Sequence, residues 1–398
     1  MKKWLLAAVF FILSGGLILV AVLANNEWNF SKFDEGKYEV KTYEANGDFQ
    51  NIRLELYTDD VAFARSADDT CRVACTEGKW YKYAVTVEDG TLCVKYEETR
   101  KQKWWEYIHF GFSAFDKKVT VYLPKTEYEV LKVNITTGNL KVPAEFSFTE
   151  ATVEGRTGNI SFYAGVREKL QLKNSTGNIT VEGIQPKSAL FATTTGNING
   201  EGLTVEEDLT VSVSTGYVTL KDVTCKKLES KGNTGKFSAS AINVAQTANV
   251  KRSTGNLVLE GGRAGELVLE TSSGSITVSN FDCDGKITAR FITGRAGLTN
   301  VNCAACEVNG KTGDSVFKNF LANGLLSVTE TTGNVKLDAS DAGELLIKTG
   351  SGNVTGTLRT EKIFLTSTGT GKIDVPKTVN GGKCDITTKT GNIKISLQ

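Results

Sequence analysis

The chain of 398 residues is nearly balanced in charge, with 46 Lys and Arg against 45 Asp and Glu, and neither sign forms a long block. This balance argues against a nucleic-acid partner, which requires a clustered basic surface. The 40% apolar share supports buried cores, and 40 glycines with only 4 prolines favour strands that are joined by tight turns.

The first 24 residues predict a membrane anchor. Residues 1–3 form the expected cytoplasmic tail, and an uncharged apolar run follows over residues 4–24. As a helix, this run would span about 31 Å, which matches the hydrocarbon core of a bilayer. We therefore predict a single-pass cell-membrane protein with its N-terminus inside, a linker at 25–35 and an extracellular body. The ending Val22-Leu23-Ala24 leaves open a secreted protein that is cleaved near Ala24.

Residues 36–130 predict a small antiparallel β domain that caps the N-terminal end of the remaining chain. Short alternating apolar segments, such as 52–56 and 92–96, are separated by turns that include Glu88-Asp89-Gly90. Alternation of this kind is typical of strands with one buried face.

From residue 131 onward, a Thr-Gly-Asn motif recurs at intervals of 19 or 20 residues. Apolar residues alternate on both sides of nearly every glycine, so each repeat predicts strand, turn and strand with one buried face. The glycine supplies the positive φ that the turn needs. The predicted turn column consists of Gly138, Gly158, Gly177, Gly196, Gly216, Gly235, Gly255, Gly274, Gly294, Gly313, Gly333, Gly352, Gly371 and Gly391.

This register predicts an all-β fold, a β-solenoid of about 14 coils over residues 131–398. Coils stacked about 4.8 Å apart would form a rod roughly 65 Å long. Backbone groups in the middle pair with the coils on either side, whereas no capping segment follows the last glycine. We therefore predict an open C-terminal edge that a partner or self-association covers.

Two further columns flank the glycines, with Thr or Ser always before them and Asn often after them. We interpret both as ladders that satisfy turn backbone, in preference to a threonine array for ice or a crystalline polysaccharide. Ser275, Arg295 and Asp314 interrupt the Asn column, and Arg295 is therefore a candidate surface contact.

An aromatic segment in the cap supplies the other candidate contacts, which are Trp104, Trp105, Tyr107 and His109. One interpretation is a lid that packs over the first coil. The other is a contact for a membrane interface or a sugar, because the basic residues beside the tryptophans suit both.

The cysteines stand where other repeats carry apolar residues, so we predict buried thiols that pack as small apolar groups. Cys303 and Cys306 belong to different coil positions, which argues against a metal site. Cys283 and Cys303 should stack one coil apart, which leaves a disulfide open, and one bridge is also open among the cysteines of the cap.

Catalysis has little support in the sequence. His109 is the only histidine, and no nucleophile with a paired base is recognisable. No acidic position recurs as calcium binding requires, so no metal or cofactor is predicted. We predict a binding protein without catalysis, and the alternative is a polysaccharide lyase or hydrolase that uses scattered Arg, Asp and Glu.

The anchor, the turn at 88–92, the strand at 119–124 and the Thr-Gly-Asn coils together resemble a bacterial β-strand-repeat family of "putative adhesins". This family is a domain of unknown function that is common in Gram-positive bacteria. The resemblance implies a surface solenoid that acts in adhesion, as a scaffold or in envelope stress, with a glycan, cell-wall or protein partner. It transfers no catalytic residue. No Leu-Pro-x-Thr-Gly signal is present, so covalent attachment to peptidoglycan by that route is not expected.

Overall fold

The computed structural model describes Gly15 and residues 38–78, 81–99 and 117–398. In the three longer ranges every regular element is a β-strand, which confirms the all-β prediction. The predicted anchor 4–24 lies outside the described residues except for Gly15, and so does the linker 25–35. Among the residues that the structure describes, no helix is long and apolar enough to cross a membrane.

The N-terminal cap is a mixed domain rather than a purely antiparallel one. Its strands are β1 (Glu39–Ala45), β2 (Asn51–Thr58), β3 (Asp60–Arg65), β4 (Cys71–Glu77), β5 (Tyr81–Glu88), β6 (Thr91–Glu98) and β7 (Lys118–Leu123). The antiparallel prediction is correct for β5 with β6 and for β4 with β1 and β7. It is wrong for β2 and β3, which pair parallel with β6 and β7 and with the first solenoid coil.

The parallel pairing arises because residues 51–65 adopt the conformation of a solenoid coil and pair with the first coil in register. Thr58 lies opposite Thr137, and the backbone nitrogen of Asp59 donates to the Thr137 carbonyl at 2.8 Å. Asp60 takes the asparagine position, where its Oδ1 accepts from the backbone nitrogen of Asn139 at 2.7 Å. β2 and β3 therefore cover the first coil of the solenoid.

The solenoid makes about 13 turns, because fourteen glycine corners bound thirteen steps. Its early coils consist of short strands, and its later coils are long strands that bend without losing their pairing. The strands are β8 (Glu127–Thr137), β9 (Leu140–Val142), β10 (Ser147–Thr157), β11 (Ile160–Phe162), β12 (Gly165–Thr176), β13 (Ile179–Glu182), β14 (Ser188–Thr195), β15 (Ile198–Thr215), β16 (Val218–Thr234), β17 (Phe237–Thr254), β18 (Leu257–Ser273), β19 (Ile276–Thr293), β20 (Ala296–Thr312), β21 (Ser315–Thr332), β22 (Val335–Ser351), β23 (Val354–Leu358), β24 (Lys362–Thr370), β25 (Ile373–Asp374), β26 (Gly382–Thr390) and β27 (Ile393–Leu397).

The glycine column has two physical causes. Thirteen of the fourteen glycines have φ between 130° and 159°, where only glycine is free of strain, and Gly333 is the exception. In addition, a Cβ placed on Gly255 would lie 2.1 Å from the carbonyl oxygen of Gly235, and one on Gly333 would lie 1.8 Å from that of Gly313. The turn prediction is confirmed, and close stacking of the corners explains why Gly333 is also glycine.

Each later coil bends twice more, close to the offsets of five and nine residues after the glycine at which Pro143, Pro186 and Pro376 stand in other coils. One bend is an irregular register, as between Cys225 and Leu228. The other bend lies six residues after the glycine, where the φ angle is positive and short or polar side chains recur. This second positive-φ column consists of Gly183, Gly202, Asp222, Ala241, Gly261, Asn280, Asn300, Asn319 and Ala339.

The last two repeats stack out of chain order. β26 lies between β22 and β24, and β27 lies between β23 and β25. Residues 382–398 therefore fill a slot inside the solenoid, and residues 359–381 form the outermost coil. The open edge that we predicted at the C-terminal end of the solenoid is formed by β24 and β25 and not by the last residues of the chain. Its coverage by a partner or by self-association stays a prediction.

Two residues of the outermost coil favour this order. Pro376 has no backbone N–H and suits a coil that pairs on one side only. Lys362 reaches across the inserted coil to Asp341, with Nζ 2.7 Å from Oδ1, and each side chain is 5% exposed. The ion pair thereby ties the outermost coil to the coil that precedes the inserted one.

Candidate binding groove

A groove of about 540 Å³ runs along the solenoid beside the glycine column. Its floor lies three positions before the glycines, where side chains face inward, and its walls lie one position to either side. The lining residues are Lys231, Gly232, Asn233, Lys251, Arg252, Ser253, Glu270, Thr271, Ser272, Arg290, Phe291, Ile292, Asn309, Gly310, Lys311 and Thr329. Four coil steps separate Lys231 from Asn309, so the groove is roughly 19 Å long.

Two glycines in the floor leave space into which the side chains of the neighbouring coils fold. A Cβ on Gly232 would lie 2.4 Å from the carbonyl oxygen of Val213, and one on Gly310 would lie 2.4 Å from the ring of Phe291. The neighbouring side chains, Arg252 and Phe291, fold over these glycines instead of rising into the groove. The floor is therefore low because each large side chain is paired with a glycine in an adjacent coil.

Arg252 places a buried positive charge in this floor. Its residue is 4% exposed, Nη1 donates to the Lys251 carbonyl at 2.8 Å, and Nη2 donates to Ser230 Oγ at 3.0 Å. The guanidinium carbon lies 5.5 Å from the ring centroid of Phe237. Nε has no hydrogen-bond partner, and no carboxylate among the described residues forms an ion pair with this guanidinium.

Burial lowers the pKa of Arg252 to about 10, which still leaves the guanidinium charged at neutral pH. A buried charge without a counterion is costly, and an anion in the groove would reduce that cost. Arg252 therefore gives the floor of the groove a positive charge that no carboxylate of the described residues balances.

The walls add four more cations and a single carboxylate. Glu270 lies 3.1 Å from Lys251 Nζ and 2.8 Å from an Arg290 guanidinium nitrogen. Burial opposes the ionisation of Glu270, but hydrogen bonds from these two cations outweigh it and hold its pKa below the ordinary value. The basic lining residues are Lys231, Lys251, Arg252, Arg290 and Lys311. Lys231 also pairs with Glu229, just outside the lining, at 2.5 Å. The lining therefore carries a net positive charge, which rests mainly on Arg252 and Lys311, although the chain as a whole is nearly neutral.

Of the sequence-predicted contacts, only Arg295 belongs to the part of the chain that the structure describes. Trp104, Trp105, Tyr107 and His109 lie outside the described residues. Arg295 is exposed at the glycine corner, where its guanidinium lies 3.6 Å from Asp314, and it does not line the groove. Sequence reasoning missed the groove because its residues lie in a column that varies from coil to coil. Gly232 and Gly310 in that column were the available signal.

The interpretation of the Asn column as a turn ladder is confirmed. The side-chain oxygen of Asn139 accepts from the backbone nitrogen of Asn159 at 2.9 Å, and the same contact recurs from Asn159 to Asn178. Asp314 continues the ladder by accepting from the backbone nitrogen of Asn334 at 2.9 Å. Asp314 is therefore not an interruption, since an aspartate oxygen serves as well as an asparagine oxygen.

The hydroxyl ladder lies in a different column from the one predicted. Each Thr or Ser directly before a glycine is exposed. The hydroxyls that donate to glycine carbonyls come from three positions before the glycine, as from Thr193 to Gly177 at 3.2 Å and from Thr271 to Gly255 at 3.0 Å. This position faces inward, so its hydroxyls reach the stacked turns.

Seven of the eight cysteines are buried, and all eight are free thiols, which confirms their role as small packing groups. Burial raises the pKa of Cys225 and Cys384 to about 12, so these thiols are protonated and unreactive at neutral pH. Cys283 lies opposite Cys303 as predicted. Among the described residues, no three His, Cys, Asp or Glu side chains are placed to hold a metal ion.

Known structures match the chain at low similarity. They include a "putative adhesin" from Bacteroides fragilis, at 14% identity and a TM-score of 0.21 over 90% of this chain and 97% of that chain. A "putative cell adhesion protein" from Clostridium sporogenes has 9% identity and a TM-score of 0.18, over 91% of this chain and 100% of that chain. A "putative lipid binding protein" from Parabacteroides distasonis has 12% identity and a TM-score of 0.20, over 91% of this chain and 98% of that chain. TM-scores this low carry no argument about function.

A search of curated proteins found no match. A family model described as Toastrack DUF4097 matches residues 49–207 and 204–291, which together exceed half of the chain. The matched residues include β2 and β3 of the cap and the solenoid coils that begin the groove. The resemblance to a β-repeat domain of unknown function is thereby confirmed. The chain belongs to the Toastrack DUF4097 family.

Proposed function

We propose that the protein is an extracellular binding protein, anchored through residues 4–24, whose groove holds an acidic polymer along the solenoid. The observation that carries this proposal is Arg252, a buried guanidinium without a counterion in the floor of a positive groove. The extracellular location rests on the apolar run at the N-terminus.

The distribution of charge favours a ligand with several negative groups. The cations lie on successive coils, so an extended ligand can meet them one after another, and linked contacts raise the overall affinity. The ion pairs of Glu270 with Lys251 and Arg290 are partly exposed, and such pairs cost little to exchange for a ligand anion. Clefts with one sign of charge also concentrate oppositely charged ligands.

The polar walls favour an acidic polysaccharide over a nucleic acid. Asn233, Ser253 and Ser272 offer amide and hydroxyl groups for sugar hydroxyls. Single-stranded nucleic acids bind largely by stacking on aromatic side chains. The only aromatic ring in the groove belongs to Phe291, which is 3% exposed and cannot serve as a stacking surface.

Calorimetry on the full chain in detergent tests the proposal with polygalacturonate as the probe and uncharged dextran as its control. We expect saturable binding of polygalacturonate that weakens steeply between 50 mM and 500 mM salt, and no binding of dextran. Absence of polygalacturonate binding at low salt would sink the proposal. If the protein bound single-stranded DNA more tightly than polygalacturonate, the ligand class would be nucleic acid and not acidic polysaccharide.

Substitution of groove cations locates the binding. Lys311→Gln combined with Arg290→Gln should raise the Kd of polygalacturonate about tenfold, because each exposed contact contributes on the order of 0.7 kcal/mol. Lys336→Gln, at an exposed lysine outside the groove, is the matched control and should leave the Kd unchanged. Equal effects of both changes would point to non-specific attraction. Release of short oligosaccharides would instead support the polysaccharide-degrading alternative.

A further inference from the structure

The outermost coil leaves two strands with one unpaired edge each. Within the described part of the chain, β24 pairs only with β26, and β25 pairs only with β27. Every interior strand has neighbours on both sides, whereas the outer N–H and C=O groups of β24 and β25 have no strand to meet. Such an edge is a template for pairing with another chain.

The apolar core is uncovered at the same end. Ile373 stands two positions after its glycine, where Val354 and Ile393 are fully buried, yet Ile373 is 45% exposed. On the outward face of β24, Ile363 and Leu365 stand opposite Lys383 and Asp385 and are 43% and 49% exposed, which adds apolar surface beside the open core. The exposed apolar side chains therefore concentrate on the coil that lacks a neighbour, which is typical of an interaction surface.

Within the described residues, the opposite end of the solenoid presents a different surface. There the outer strands of the cap, β1 and β5, run antiparallel to their neighbours β4 and β6, so this surface lacks the shape of a coil. The open coil of another copy has the same shape and the same exposed apolar residues as the open coil itself. Contact between two such coils is two-fold and closes at two subunits.

The charges of β25 suit such a contact. Lys372 and Asp374 flank Ile373. Antiparallel pairing of two β25 strands about Ile373 sets Lys372 of one copy opposite Asp374 of the other, and the reverse. Opposite charges at facing positions stabilise an antiparallel pair, and β24 has no exposed charged side chain to oppose it.

We propose that two copies of the chain join end to end through β24 and β25, so that each outermost coil caps the other. The dimer presents two grooves on one longer rod, with the two caps at opposite ends. The contact is independent of the groove, since no residue of 359–381 lines it.

Sedimentation equilibrium of the full chain in density-matched detergent measures the mass at micromolar concentration. We expect twice 43.0 kDa for the wild type. Ile373→Lys with Asp374→Lys should give monomers, because this change sets lysines of one copy opposite lysines of the other. Tyr217→Lys, at a side chain that is 60% exposed far from this end, should remain dimeric. A monomeric wild type, an assembly larger than two, or a dimer that survives the paired change would each overturn the proposal.

A cross-link keeps the test valid if the double variant fails to fold. Ile373→Cys places one thiol at the two-fold axis, and the native thiols apart from Cys93 are buried. Mild oxidation should link two chains through this position, whereas Tyr217→Cys should give no linked dimer. Equal linking at both positions, or none at Ile373→Cys, contradicts the proposal.

Discussion

At the scale of single residues, the glycine column is fixed by the space between stacked corners as much as by backbone angle. The Cβ of any other residue would lie 1.5 to 2.1 Å from the carbonyl oxygen of the stacked corner, which is a severe steric overlap. Sequence periodicity predicted the column, but a single repeat seen alone shows only the turn. The close approach of corners is a property of the stack, and so it appears only in the structure.

Substitution of one column glycine should therefore cost more than the usual strain of a positive φ angle. Gly255→Ala should lower the free energy of unfolding by about 3 kcal/mol, which urea denaturation followed by circular dichroism measures. Gly297→Ala is the matched control, because a Cβ there meets nothing within 4 Å. We expect no loss in the control, and equal loss in both would contradict the stacking explanation.

Glu330 is a buried carboxyl whose protonation affects stability. It is 3% exposed, it accepts a hydrogen bond from the Ser315 hydroxyl, and its Oε2 has no partner. Burial raises the pKa of Glu330 to about 7. The folded state thus holds the proton at a pH where the unfolded chain has released it.

The stability from this group is fully present below pH 4.5 and is lost as the pH rises towards 7. We expect the free energy of unfolding of the wild type to fall by about 3 kcal/mol over this window, and the melting temperature to fall with it. Glu330→Gln should remove that fall, whereas the exposed Glu361→Gln should not. An unchanged slope in Glu330→Gln would show that the carboxyl is not buried as described.

At the scale of elements, the order of the last coils is the feature that sequence could not supply. The repeats around Gly371 and Gly391 share the Thr-Gly pair and an isoleucine two positions after the glycine, so the repeat pattern allows either to stack on the coil of Gly352. Thr366, where the other repeat has Ile386, is the one departure from the apolar pattern that suits an outermost coil. The buried pair of Lys362 and Asp341 distinguishes the two arrangements. It joins residues that are two layers apart, and only tertiary structure brings them together.

Loss of one partner of this pair should be costly. Lys362→Met leaves Asp341 as a buried charge and should lower the free energy of unfolding by about 3 to 5 kcal/mol. Lys187→Met removes an exposed ion pair with Glu168 of 3.9 Å and should cost less than about 1 kcal/mol. Differential scanning calorimetry compares the two, and equal shifts would argue against a special role for the buried pair.

The second positive-φ column is another feature that the sequence does not mark by a single residue type. Asn280, Asn300 and Asn319 adopt positive φ and form their own side-chain ladder, in which Asn300 donates to Asn280 at 2.8 Å. Other coils have Gly, Asp or Ala at this position, so no single residue type marks it in the sequence. The column is recognisable only after the coils are aligned in space.

At the scale of the whole molecule, the solenoid and its register were predictable because every repeat carries the same buried face. The groove was not, since Gly232, Arg252 and Phe291 depart from the repeat in different ways. Function in such a fold depends on residues that break the pattern on the surface. The family match supports the architecture, and the groove supplies the chemistry for the proposed ligand.

The most direct test of the central claim is a photo-cross-link from inside the groove. Ile292 lines the groove and is 47% exposed, so a benzophenone side chain at this position should react with bound polygalacturonate at low salt. The same group at Tyr217, outside the groove, should give no adduct. An adduct at position 292 that 500 mM salt abolishes is the predicted result. No adduct at 292, or equal adducts at both positions, would contradict the claim that this groove binds the polymer.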